Sequence, residues 1–411
     1  MKKTALTIII SLMGLTGLKA QISPSFGIKF SGYIRTDVIY DTRQSSASNG
    51  LREGHFYLFP DNFLYDATGV DVNASPSFHM LSIQSRLKGD IQGPDAFGAK
   101  TSGVLEAEFF GTSEADLNGF RLRQAYTKLD WGKTSLLIGQ AWHPMFPTEC
   151  YPATVSFNTG APFTPFSRNP QVRFTYNPGR FSAAVTAYSQ RDFTSTGPDG
   201  SGNKYMRNSG LPGLNAQVRI LVTSAGFALI GGDLKAIRPE LRTSENFENL
   251  NTLSSLAGFA TLHLKTKPVS VTLMGTYVQN ATDLTMIGGY GVADIIDTLT
   301  GIRTFSNLTT ASGWIDLYTN GEKIQAGLFA GYSKNLGSAS ELNGPLYGRG
   351  TNIDYVARIS PRLLFISGKF TFSAEFETTF AAYGTPDSFG KIMNSEPVTN
   401  YRMLLAATYK F

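Results

Sequence analysis

Charged residues on alternate positions give this chain its most specific chemistry. Gln84, Arg86, Lys88 and Asp90 share one parity, against Leu81, Ile83 and Leu87 on the other. Glu106 and Glu108 follow one segment later, then Arg121 and Arg123, opposite Phe120, Leu122 and Tyr126. Successive side chains of a strand point to opposite faces, so each set forms one row on one face. If the three segments are neighbours, two acids lie between two pairs of bases, an excess of two positive charges. Such ladders can serve only to hold strand register by neutralising one another. Their sum is a basic wall, which favours anions, and a low-dielectric surround focuses its field. Lys29, Arg35, Arg173, Arg219, Arg358 and Arg402 are further candidates for the inward face, with Glu375 and Glu377 between basic strands near the end of the chain.

Other chemistries find little footing. The histidines are His55, His79, His143 and His263, and the single cysteine is Cys150. Counting alone leaves a Ser-His-Asp triad open, but there is no nucleophile elbow and no metal-ligand spacing such as H-E-x-x-H or C-x-x-C. No enzyme activity, cofactor or metal is expected. One cysteine cannot form an internal disulfide, so an exported chain of this kind must be stabilised without such staples.

The elements that position these rows are amphipathic strands repeated along the whole chain. Sixteen are read, over 27–40, 79–91, 102–111, 119–130, 133–141, 170–177, 180–190, 213–223, 225–236, 254–266, 268–280, 311–319, 322–334, 351–360, 367–381 and 399–411. Tight reversals recur between them: Trp131-Gly132-Lys133, Asn177-Pro178-Gly179-Arg180, Thr223-Ser224-Ala225-Gly226, Lys265-Thr266-Lys267-Pro268 and Asn320-Gly321-Glu322. Gly, Pro and Asn supply the backbone angles these turns need. The connections at 92–101 and 361–366 read as looser. Those in between are long (41–78, 142–169, 191–212, 237–253, 281–310, 335–350 and 382–398), apart from 112–118. Short turns alternating with long loops are the pattern of an antiparallel barrel with brief periplasmic turns and larger external loops.

The two faces choose between a barrel and a secreted β-sandwich. In 367–381, Phe370, Phe372, Phe376 and Phe380 oppose Lys369, Glu375, Glu377 and Thr379. A row that charged cannot be the inside of a dry sandwich without heavy pairing, but it can face a water-filled lumen while the aromatics face lipid. The expected fold is therefore all-β: a 16-stranded antiparallel transmembrane β-barrel, one domain over 21–411, with a constricting third external loop. That loop, 142–169, carries His143, Glu149 and Arg168 among Trp142, Pro144, Pro147, Cys150, Phe157, Phe163, Pro165 and Phe166. It is too apolar and too stiff for a solvated loop, so it either folds inward and narrows the barrel or packs outside against a neighbouring subunit. Phe56, Tyr57, Phe59, Phe63 and Tyr65 of the first loop are expected to dock a ligand or a neighbouring subunit, which leaves an adhesin or complex subunit as the alternative function.

The ends agree with export. Lys2 and Lys3 precede an apolar run from Ala5 to Leu15 and small residues up to Ala20, which reads as a signal peptide over 1–20. Removing Lys2, Lys3 and Lys19 lowers the formal net charge from +5 to +2, so a nucleic-acid partner gets no support. At the other end Tyr401, Tyr409 and Phe411 share one parity and the chain stops on the aromatic. This resembles the closing strand of bacterial outer-membrane barrels, and the resemblance implies that these residues are read by the barrel insertion machinery. Outer-membrane lipids are then the surround, in a Gram-negative cell.

One family fits the middle of the chain. Gln84-Ser85-Arg86, Glu106-Ala107-Glu108-Phe109-Phe110-Gly111, Arg121-Leu122-Arg123-Gln124-Ala125-Tyr126 and Gly139-Gln140-Ala141-Trp142 resemble the DcaP-type trimeric porins. There a Q-S-R strand, an acidic E-x-D/E-F-F-G strand and an R-L-R-x-A-Y strand precede a G-Q-x-W run into the constricting loop. The resemblance covers residues 82–176. It implies a homotrimeric, sixteen-stranded channel with an arginine-rich constriction, passing small anionic solutes such as dicarboxylates, with Arg86, Arg121 and Arg123 at the pore. Some members carry an N-terminal coiled coil, for which no pattern is found here, and the first loop carries Glu53, Asp61, Asp66 and Asp71, so the solute itself does not transfer.

Overall fold

The computed structural model describes residues 26–45, 56–111, 116 and 118–411. The expected signal peptide, Glu53 and His55 lie outside the described residues. In chain order the strands are β1 (Gly27–Asp41), β2 (Ser77–Leu81), β3 (Arg86–Ala96), β4 (Ala99–Glu108), β5 (Arg121–Asp130), β6 (Thr134–Trp142), β7 (Arg168–Tyr176), β8 (Phe181–Tyr188), β9 (Ser195–Gly197), β10 (Gly200–Gly202) and β11 (Gly213–Thr223). They continue with β12 (Gly226–Ile237), β13 (Leu253–Lys265), β14 (Val269–Gln279), β15 (Gly288–Asp297), β16 (Ile302–Thr319), β17 (Ile324–Ser338), β18 (Leu346–Arg349), β19 (Ile353–Ser367), β20 (Phe370–Pro386) and β21 (Ile392–Lys410). One short helix, α1 (Lys204–Ser209), lies in the fourth loop.

Each wall strand pairs antiparallel with the next, and β21 returns to β1 from Tyr33↔Lys410 to Asp41↔Arg402, which closes the barrel. β2 and β3 form one wall strand interrupted at Ser82–Ser85: β1 pairs with β3 up to Tyr33↔Arg86 and resumes with β2 at Asp37↔Leu81. β9 and β10 make a separate hairpin, and β15 and β18 extend the sheet above the wall. The barrel thus has sixteen strands, as the alternation predicts.

Several boundaries differ from the sequence reading. The connection at 92–101 is tight, because Phe97 (φ 53°) and Gly98 (φ 70°) form a two-residue turn between β3 and β4. Paired positive φ angles match the strand twist of hairpins, and Phe97 hides that turn from a composition-based reading. Residues 361–366 are not a loop either. Pro361 stays in β19 opposite Leu328, while the β19–β20 register passes from Ile359↔Thr378 to Arg362↔Glu375. β20 and β21 run well past the apolar belt, so the connection expected over 382–398 shrinks to 387–391.

The two faces separate as expected. On β20, Glu375 and Glu377 are buried while Phe372 and Phe376 are exposed. On β21, Arg402, Leu404 and Ala406 are buried while Tyr401, Met403, Leu405 and Tyr409 are exposed. Exposing one large apolar side chain to water costs about 1.5–3 kcal/mol. The outward row repeats on strand after strand (Phe30, Ile34, Leu105, Leu122, Phe174, Val185, Ile230, Leu273, Ile315, Phe365). Such a belt is stable only where the surround is hydrocarbon.

The loop-bearing half of the interior is not an open lumen. Phe56, Leu58 and Phe59 of the first loop, Met145, Phe146, Val155, Phe157, Phe163 and Phe166 of the third, and Leu284, Met286 and Ile287 of the sixth form one core with Ile39, Phe227, Phe259, Met274, Trp314, Phe329 and Leu404 of the wall. The first-loop aromatics are therefore a correction: Phe56, Tyr57 and Phe59 lie inside, and Tyr65 remains exposed, stacked on Phe63 with ring centroids 5.9 Å apart.

Candidate functional site

The basic wall is built by β3, β4 and β5. Their register places Arg86 opposite Glu108 and Lys88 opposite Glu106, and Glu108 opposite Arg121. The ladder slips between Glu106 and Ala107, which skips Arg123. This bulge re-phases β5: Arg121 and Arg123 still point inward, but so do Gln124 and Tyr126, which border the cavity. Strict alternation had put Tyr126 on the other face. A bulge inserts one residue and re-aims its neighbours.

Glu108 is the hub. It accepts from Arg86 at 3.0 Å, Arg121 at 2.8 Å and Arg123 at 2.5 Å, and Arg123 also donates to Glu106 at 2.6 Å. Gln124 donates to Glu106 at 3.3 Å. Charge-assisted, partly shared pairs of this kind fix side-chain geometry. Asp192 of the fourth loop, a residue with no sequence signal, joins at 3.8 Å from Arg121 and 2.6 Å from Arg168. Two guanidinium groups lie over the Trp142 ring, Arg168 at 4.9 Å and Arg123 at 5.5 Å from its centre. Lys88 is half-buried and bonded to Asp90 at 2.8 Å.

A cavity of about 950 Å³ lies against this wall. Six basic groups face it (Arg35, Arg86, Lys88, Arg121, Arg123 and Lys410), against the acids Glu106, Glu108 and Glu149. Asp37, Asp90 and Asp192 stand beside the bases as ion-pair partners and equal that excess of three, so the selectivity of the wall rests on where its guanidinium groups sit and not on its net charge. Tyr33, Gln84, Gln124, Tyr126 and Trp142 add hydrogen-bonding edges.

The segment after β6 is bonded to inward-facing groups of the opposite wall. Ala153 N–H donates to Asp316 of β16 at 2.8 Å, and the N–H groups of Val155 and Ser156 donate to Glu375 of β20 at 2.5 and 3.3 Å. Asn158 donates to Glu377 at 3.3 Å, Ser312 to Phe163 O at 2.9 Å, Arg358 to Ala161 O at 3.0 Å and Arg35 to Val155 O at 2.5 Å. Residues 148–157 border the cavity.

Several sequence candidates have other places. Arg358, Glu375 and Glu377 face inward but are buried under the first and third loops, so they hold loops rather than face the cavity. Arg173 is bonded to Gln171 and Trp142 O, and Arg219 lies over the Phe227 ring at 4.1 Å and reaches Glu149 at 4.0 Å. Neither borders the cavity. Of the three third-loop candidates, only Glu149 does. Arg168 is the first residue of β7, fully buried on Asp192. His143 is fully buried beside Asp233 and edge-on to Tyr188. Burial, with the charges of Lys235 and Arg173 behind it, pushes its imidazole down to about 3. Tyr401, Tyr409 and Phe411 lie on the outward face, and Phe411 exchanges backbone hydrogen bonds with Gly32 at 3.1 and 3.4 Å. Among the described residues no His, Cys, Asp and Glu group is arranged to hold a metal ion.

The model of the DcaP outer membrane protein family matches residues 18–194. Over this stretch the chain is similar to the DcaP family. The matched residues hold the whole basic wall, Trp142, the third loop and Asp192, a little under half of the chain. The remainder agrees with the DcaP fold: the crystal structure of the outer membrane channel DcaP of Acinetobacter baumannii has a TM-score of 0.68 at 16% identity, over 94% of this chain and 98% of that one. In-vitro folded OmpT of Vibrio cholerae gives 0.57 at 10% identity, over 95% and 98%. An anion-selective porin from Comamonas acidovorans gives 0.54 at 11%, over 94% and 100%. At these identities the likeness is one of fold. A comparison with curated proteins gives no match. The partial match to the DcaP family and the closed sixteen-stranded barrel together give the chain the fold of outer-membrane porins.

Proposed function

We propose that this porin passes small hydrophilic anions, carboxylates in particular, through the space beside the basic wall. The observation that carries the reading is the set Arg86, Arg121 and Arg123 gathered on Glu108 at the edge of the cavity, with Lys88, Arg35 and Lys410 around it. An arginine already held by a carboxylate keeps free N–H donors in a fixed plane, so it can offer them to a passing carboxylate without reordering. The third loop narrows the path, since its cavity-bordering residues are tied to the opposite wall. Export through a signal peptide cleaved after Ala20, insertion through Tyr401, Tyr409 and Phe411, an outer-membrane lipid surround and a homotrimer complete the proposal; a trimer form is reported for OmpT of Vibrio cholerae. The test is the reversal potential of purified protein in a planar bilayer across a salt gradient. Anion selectivity supports the reading. Cation selectivity overturns the role of the wall, and absence of conductance from folded, heat-modifiable protein overturns the channel.

A further inference from the structure

The first loop dips into the barrel and is held there by the groups that hold the third. Phe56, Tyr57, Leu58 and Phe59 are all at least 95% buried. The Tyr57 ring lies under two guanidinium groups, with Arg402 at 4.1 Å and Arg358 at 4.9 Å from its centre. Its hydroxyl accepts from Asn400 at 3.1 Å. Arg358 donates to Leu58 O at 2.7 Å and to Ala161 O at 3.0 Å, so one side chain bridges loop one and loop three. Asn158 of loop three donates to Tyr57 O at 3.0 Å, and Tyr383 donates to Pro60 O at 2.7 Å. Phe56, next in the chain, packs on Phe166 with centroids 4.9 Å apart and borders the cavity.

We propose that Phe56–Pro60 is a second constriction element, in which Phe56 limits the width of the path and Tyr57 is the positioning residue that locks loops one and three together. Five side chains from four parts of the chain, the third loop, β19, β20 and β21, converge on these five residues. A loop that only covered the barrel mouth would leave its aromatics in contact with solvent or a partner. Here the aromatic that reaches the cavity is the one beside the anchored tyrosine.

This inference rests on the porin reading, and the experiment separates the two. Full-length protein carrying Phe56→Ala, Phe56→Trp, Tyr57→Ala or Tyr57→Phe is compared with wild type in planar bilayers and in liposome swelling with neutral sugars of increasing size. Phe56→Ala is expected to raise unit conductance and admit larger sugars with the anion-to-cation ratio unshifted, and Phe56→Trp to lower conductance. Tyr57→Ala is expected to add open-channel noise, because it frees both loops, whereas Tyr57→Phe keeps the ring under the two arginines and behaves as wild type. If the alanine variants fail to fold, Phe56→Trp alone decides. A conducting wild type whose folded variants keep its conductance, noise and size limit overturns the inference and leaves the porin standing. A wild type without conductance overturns both.

Discussion

Glu108 offers the sharpest test of the basic wall. It is 2% exposed and accepts from Arg86, Arg121 and Arg123. Glu108→Gln removes one negative charge from the edge of the cavity and keeps the side-chain shape. A unit charge acts on an ion passing at about 8 Å in water with about 0.5 kcal/mol. At about 0.1 M salt the Debye length is near 10 Å, which leaves about 0.2 kcal/mol. That raises the local anion concentration by about 1.5-fold and lowers that of cations by the same factor, so the permeability ratio changes by about two-fold. At about 1 M salt the effect shrinks to roughly a tenth. Arg86→Gln removes a positive charge from the same cluster and should move the ratio the other way by a similar factor. The assay is reversal potential at both salt concentrations. Leaving three guanidinium groups with one acid fewer costs about 3–5 kcal/mol of stability, so heat-modifiability is checked first. Shifts of the same sign for the two variants, or a Glu108→Gln shift that survives high salt, would refute the claim that this wall sets selectivity by where its charges sit.

The remaining expectations concern stability and reactivity. His143 is held neutral in the fold down to about 3, below the usual imidazole range, so its contribution is complete above about pH 6.5 and lost as pH falls toward 3; thermal melts should show wild type losing more stability than His143→Gln across that window. Gly139 sits at φ 133°, where an added Cβ would lie 2.3 Å from Ala125 O, so Gly139→Ala should cost roughly 3 kcal/mol in a denaturant titration. Burial, with Glu149 adding to it, pushes the Cys150 thiol up to about 12, and maleimide labelling at neutral pH should be roughly a thousand-fold slower than for a free thiol until the protein unfolds.

The wall of the barrel was legible because every strand repeats one rule, and the rule survives single-residue errors. It failed where geometry depends on a partner strand. The bulge at Arg123 turns Tyr126 inward, and nothing in β5 alone marks it. The interruption at Ser82–Ser85 sits inside a run that reads as continuous alternation. Phe97 occupies a turn position where composition expects Gly or Asn. Arg86, Arg121, Arg123, Glu106 and Glu108 were readable as a cluster because hairpin neighbours must pair. Asp192 was not, since loops reach the site by tertiary packing that has no period, and Arg168, read as a third-loop residue, is the first residue of β7 instead. The same reason hid the first loop: its aromatics mark burial, but burial against what is decided by Arg358 and Arg402, some three hundred residues away.

The seam between β1 and β21 bears on how such a chain can be made. Asp41 and Arg402, bonded at 2.8 Å, are 361 residues apart, and the last residue bonds to Gly32, where even a methyl group would crowd the Phe411 ring at 2.8 Å. The first strand therefore has one open edge until β21 is made, and no chain that lacks β21 can shut the ring. Contacts this distant in sequence make folding slow, and an unpaired edge of that length invites association with other chains. A chain that lacked β21 would remain an open sheet, with the edge of β1 from Tyr33 to Asp41 unpaired.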